Sequence, residues 1–156
     1  MRISRERMYM DIAHALAKRS TCFRNNVGAV IVQPRGWVIN GTGYNGPKSG
    51  LPHCKGNSCD LTSGGGCTRS IHAEDNALRR CYSYNSLLWL FVTRSPCEDC
   101  TKKILDNGQI VKVFYEEPYR DTEPLIILQR SGIEVYRVTP NGMVVDHKTN
   151  LIISDS

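Results

Sequence analysis

Apolar positions recur along the chain with two different periods, and the switches between them mark its elements. Met8, Ile12, Ala15 and Leu16 fall at helical spacing, which predicts an amphipathic helix over residues 5–19. "VGAVIVQ" (27–33) is a dense β-branched run, and "PRG" (34–36) turns it into "WVINGTGY" (37–44), the pattern of a hairpin. Residues 45–69 are rich in Gly, Pro, Ser and Asn and are too long for an idle connection in a compact domain. A helix over about 71–82 and a strand "LLWLFVT" (87–93) follow.

The next helix has a predicted start: Ser95 as N-cap, Pro96 at the first helical position, and Glu98 completing a capping box. After a strand "VKVFYE" (111–116), Asp121 or Thr122 caps a helix with Pro124 in its first turn and Gly132 past its end. "IEVYRV" (133–138) is the last predicted strand. From about residue 85, strands alternate with helices of about ten residues, which implies parallel pairing with helices on both faces. The whole chain, 1–156, reads as one domain with an insert at 45–69, and the tail 139–156 shows no motif.

Composition narrows the class. With 40% hydrophobic and 22% charged residues the chain is globular rather than disordered or fibrous. A net charge of +5 suits a phosphate-bearing ligand, but there is no long Lys/Arg run, so polymeric nucleic acid is not the expected partner. "MRISRERMYM" lacks the apolar core of a signal peptide, and no segment approaches a membrane span, so a cytoplasmic location is expected. Seven cysteines in a reducing compartment then read as metal ligands or free thiols rather than disulfides.

Two short stretches carry the chemistry, "SIHAED" (70–75) and "SPCEDC" (95–100). Cys97 and Cys100 lie three apart in a first helical turn, where partial positive charge favours thiolates. Two thiolates with the imidazole of His72 suit Zn2+ and leave a fourth tetrahedral position for water. Zinc lowers the pKa of bound water to about 7. Expelling an amine also needs a proton carrier that is not a ligand, and Glu74 is the candidate, with Asp75 as rival carboxylate. Residues i and i+2 face opposite sides of a helix, so Glu74 qualifies only if the metal sits off the helix's N-terminal end. His-x-Glu followed by Pro-Cys-x-x-Cys is the signature of the zinc deaminases of nucleobases. The plain alternatives are a helix histidine, a solvated glutamate and packed cysteines, or a structural zinc, which normally recruits a fourth protein ligand.

Over residues 8–138 the chain resembles the deoxycytidylate (dCMP) deaminases and their relatives among late-competence proteins. The resemblance rests on "KRSTCFRNNVGAVIV" (18–32), "GYNGPKSGLPHC" (43–54), "CTRSIHAEDNAL" (67–78), "LFVTRSPCEDC" (90–100) and "YRD" (119–121). It implies a cytidine-deaminase-like three-layer α/β/α sandwich with a five-stranded mixed sheet, and hydrolysis of dCMP to dUMP and ammonia. It also implies a homohexamer activated by dCTP and inhibited by dTTP with Mg2+. By the same resemblance the Ala73 N–H and the Ser95 carbonyl hold the base edge, Asn45 faces sugar or base, and Tyr119 lines the substrate pocket. Arg24 is either a phosphate partner or a solvated arginine. Tyr44 and Gly46 belong either to an effector site or simply to a turn. The chain departs from the family pattern at Asp75, where a neutral residue is usual, and at Thr101.

Cys22, Cys54, Cys59 and Cys67 form a candidate second, structural Zn2+ site pinning the insert, with His53 as an alternative ligand; scattered free thiols are the other reading. Cys81 reads as core, and His14 and His147 as surface or packing histidines. The competing functions are a deaminase of tRNA adenosine, dCTP or a free nucleoside, and a non-catalytic zinc-stabilised binding module.

Overall fold

A computed structural model of the chain describes residues 1–22, 24–54, 63, 67–83 and 85–154. Its first helix, α1 (Arg5–Ala17), is capped by the Ser4 side chain, which accepts from the Arg7 N–H. The predicted hairpin is β1 (Gly28–Gln33) and β2 (Val38–Tyr44). β3 (Gly46–Pro47) and β4 (Ser70–Ile71) pair antiparallel, so the two ends of the 45–69 insert meet as a short ribbon. Then come α2 (Ala73–Arg79), β5 (Leu88–Arg94), α3 (Glu98–Asn107), β6 (Ile110–Glu117), α4 (Glu123–Arg130) and β7 (Glu134–Val138). The tail adds β8 (Val144–Asp146) and β9 (Ile152–Ser154).

The large sheet runs β2-β1-β5-β6-β7-β8-β9. β5, β6 and β7 are parallel, as the alternating pattern predicts, and the remaining neighbours are antiparallel. The sheet therefore has seven strands, not five. The two unpredicted strands come from the tail, and at three residues each they are too short to show a period of two.

Strand side chains alternate between two cores. On one face Val30, Val32, Phe91 and Phe114 pack with Tyr9, Met10 and Ala13 of α1. On the other, Ala29, Ile31, Leu90, Val92 and Val113 meet Ala73 and Ala77 of α2, Ile104 of α3, and Leu125 and Leu128 of α4. Fully burying one such large side chain contributes about 1.5–3 kcal/mol. Helices thus cover both faces, giving the expected three layers.

Gly43 sets the seat of α2. A Cβ there would overlap the Ala73 carbonyl oxygen and press on the Ala77 nitrogen, so only glycine lets α2 lie this close to β2. α2 carries half of the candidate site, and its height above the sheet is fixed by that contact.

One predicted helix start is corrected. α3 begins at Glu98 with Cys97 as N-cap, so Ser95 is not the cap and no capping box forms. The Ser95 hydroxyl instead accepts from the Tyr119 N–H at 2.6 Å.

Candidate active site

The site lies at the carboxyl ends of the parallel strands, where open α/β sheets present their crevice. β5 ends at Arg94, and Ser95 and Pro96 lead to Cys97. β4 ends at Ile71, and His72 leads into α2. His72 and Cys97 are both N-caps with extended backbone, and neither side chain caps its helix. Ser, Thr, Asp and Asn are the residues favoured at such positions. Here the two side chains turn to each other instead.

His72 Nδ1 lies 3.4 Å from Cys97 Sγ and 3.3 Å from Cys100 Sγ, and the three ligand atoms all fall within 4.8 Å of one another. Donors on one tetrahedral zinc are separated by about 3.5–3.8 Å, given bond lengths of about 2.0–2.3 Å. The trio therefore fits that ion. The three side chains also perturb one another's titration. The Cys97 thiol is lowered to about 4 by its hydrogen bond to Cys100, with His72 adding to the effect against burial. His72 is raised to about 9, chiefly by its hydrogen bond to Cys97. Cys100 is pushed up by its hydrogen bond with Cys97 and by burial.

Glu74 is buried, and burial raises its carboxyl above the ordinary range. The Cys100 thiol donates to its Oε2 at 3.6 Å. Asp75 turns away from the trio. Its carboxylate accepts from Arg79 at 2.8 and 3.2 Å and from Lys103 at 2.5 Å. Glu74 is thus the carboxylate that lines the crevice.

A cavity of about 210 Å³ opens over the trio. His72, Cys97 and Glu74 line it, together with all five expected substrate residues, Arg24, Asn45, Ala73, Ser95 and Tyr119. The Asn45 amide is also a brace, accepting from the Val27 N–H at 2.8 Å and donating to the Asn25 carbonyl at 2.6 Å. Arg94 and Arg120 line the cavity too and went unnoticed in the sequence. For Arg120 a signal was there, since it follows Tyr119 directly.

Tyr44 and Gly46 do not line this cavity. The Tyr44 carbonyl accepts from Asn76 at 2.9 Å, and Gly46 borders a much smaller cavity with Cys22, Cys54 and Ser70. Cys54 Sγ and Cys67 Sγ lie 3.9 Å apart at the base of the insert, and Cys22 borders a cavity with each of them. Cys59 lies outside the described residues. His53 Nδ1 pairs with the Thr21 hydroxyl at 2.7 Å. Cys81 packs against the core, His14 meets Glu116 at 2.8 Å, and His147 meets the Tyr115 hydroxyl at 2.8 Å. Among the described residues, no helix is long and apolar enough to cross a membrane.

Residues 3–117 match the family model for the cytidine and deoxycytidylate deaminase zinc-binding region. The chain is 38% identical over 152 residues to ComE operon protein 2 of Bacillus subtilis, covering 94% of this chain and 78% of that protein. It is 38% identical over 120 residues to the deoxycytidylate deaminase of Mycobacterium phage D29, covering 69% and 90% respectively. Among solved structures, the dCMP deaminase of cyanophage S-TIM5 in complex with dCMP and dUMP aligns with a TM-score of 0.75 at 35% identity. That alignment covers 88% of this chain and 98% of that one.

Proposed function

The chain belongs to the cytidine and deoxycytidylate deaminase family, and on that premise we propose that it hydrolyses dCMP to dUMP and ammonia. The observation that carries this reading is the meeting of His72, Cys97, Cys100 and Glu74 at one end of a cavity lined by three arginines. The relatives named deoxycytidylate deaminase, and the related structure with dCMP and dUMP, support the choice of substrate.

His72, Cys97 and Cys100 would hold Zn2+, which when bound supplies a Lewis acid that activates water at neutral pH. Glu74 does the proton work. Its burial makes its carboxyl hold a proton more tightly than an exposed glutamate does. It takes a proton from the attacking water and passes it to N3 as the oxygen bonds to C4. It then takes the proton of the new C4 hydroxyl and passes it to the amino group, which leaves as ammonia when the C4–N bond breaks. Such a group is worth about 10²–10⁴ in rate. The Ala73 N–H and the Ser95 carbonyl hold the base edge, Tyr119 walls the base, Asn45 faces the sugar, and Arg24 pairs with the phosphate.

The reading extends to one domain over residues 1–156, a second Zn2+ on Cys22, Cys54, Cys59 and Cys67, and a homohexamer. It also extends to activation by dCTP and inhibition by dTTP with Mg2+ through Tyr44 and Gly46. Ammonia release from dCMP, dCTP, deoxycytidine and an adenosine-bearing tRNA loop tests the substrate. Release from dCMP, raised by dCTP and lowered by dTTP, is expected, and release from the tRNA alone overturns the reading.

A further inference from the structure

Arg94 is the last residue of β5 and Glu117 the last of β6, and the two stand opposite one another across the parallel pair. Arg94 lines the cavity with His72, Cys97 and Glu74, whereas Glu117 does not. Arg94 Nη2 lies 3.3 Å from Glu117 Oε2, and the two side chains are 32% and 61% exposed. An ion pair this open to water stabilises little. The guanidinium can therefore change partner at small cost.

The cavity favours such a change. Among the described residues that line it, Glu74 is the one carboxylate, while Arg24, Arg94 and Arg120 all line it. A phosphate monoester offers Arg94 more than Glu117 does, namely a second negative charge and oxygens spaced for bidentate pairing. Arg94 also has a fixed base. It sits on a strand end rather than a loop, three residues before Cys97. The Ser95 N–H donates to the Glu117 carbonyl at 2.9 Å, which fixes that strand end through the backbone whatever the Arg94 side chain does.

We propose that Arg94 exchanges Glu117 for the 5′-phosphate of the substrate and thereby sets the preference for nucleotide over nucleoside. This rests on the dCMP reading above. Glu117 is the counter-ion that holds the guanidinium in place until the phosphate arrives.

The experiment compares kcat/KM for dCMP and deoxycytidine in the zinc-loaded full chain, with R94M, R94K and E117Q. Titration calorimetry of dUMP against deoxyuridine runs alongside and reports the same preference if deoxycytidine turns over too slowly to measure. In R94M the preference for the phosphorylated ligand is expected to fall at least about tenfold, chiefly through KM or Kd. R94K should recover part of it, and E117Q should lower KM for dCMP by about twofold, because phosphate no longer competes with a carboxylate. A preference in R94M within tenfold of the unmodified protein overturns the proposal, as does an unchanged or raised KM in E117Q. Failure of the unmodified protein to deaminate dCMP is a separate result, which overturns the substrate reading itself.

Discussion

Glu74 Oε2 lies 3.6 Å from Cys100 Sγ, although Glu74 stands only two residues after His72, a ligand candidate for the same site. On a regular helix two such side chains diverge. Here His72 is an N-cap with φ −71° and ψ 156°, so it belongs to the extended segment before α2 rather than to its helical surface. A metal held by His72, Cys97 and Cys100 would therefore sit off the end of α2, with Glu74 reaching the edge of that position from the first turn.

Removing metal should stop the chemistry and loosen the fold together. Dialysis against a chelator is expected to abolish dCMP turnover and lower the thermal midpoint, and added Zn2+ should restore both. Zinc at a hundredfold its dissociation constant stabilises a site of this kind by about 2.7 kcal/mol. Full activity in protein shown to be metal-free would contradict the assignment of His72, Cys97 and Cys100.

Gly43→Ala tests how α2 is seated. The added methyl meets the Ala73 carbonyl and the Ala77 nitrogen, which are helix backbone and cannot swing aside. A loss of about 1–3 kcal/mol in urea unfolding is expected, with weaker zinc binding because His72 leads directly into α2. Unchanged stability would mean that α2 is free to lift.

Asp75 joins α2 to α3 through Lys103 while holding Arg79 of its own helix. Burial by itself would raise its carboxyl, but the hydrogen bonds from Arg79 and Lys103 outweigh burial and hold it below the ordinary carboxylate value. A depressed folded-state pKa stabilises above the unfolded value and loses that contribution as pH falls through the folded one. Asp75→Asn should therefore cost about 1–3 kcal/mol at pH 7. The gap between variant and parent should shrink below about pH 4. Chemical denaturation at both pH values measures it, and a gap that does not depend on pH would refute the ion pair.

Metal analysis addresses the insert. The 3.9 Å separation of Cys54 and Cys67 suits two thiolates on one ion. About two zinc ions per chain are expected, falling to about one when Cys54→Ser and Cys67→Ser are combined. One ion in the unmodified protein would reject the second site.

The elements most legible in the sequence were the long periodic ones, and the grouping of His72, Cys97, Cys100 and Glu74 was legible from their spacing. Two features escaped for physical reasons. β8 and β9 have three residues each, and pairing with β7 and with each other, rather than any local pattern, makes them strands. Ser95 carries every local sign of an N-cap, yet Cys97 takes that place because its sulfur is turned toward His72. A local preference gave way where the site needed the backbone. Arg94 was invisible for another reason: its placement comes from the register between β5 and β6, which no single stretch of sequence displays.

The most direct test is the rate of ammonia release from dCMP by Glu74→Gln, measured beside its zinc content. With the three ligands untouched and the proton carrier removed, zinc should remain bound while turnover falls by about 10²–10⁴. A Glu74→Gln protein that deaminates dCMP at the parental rate would contradict the account.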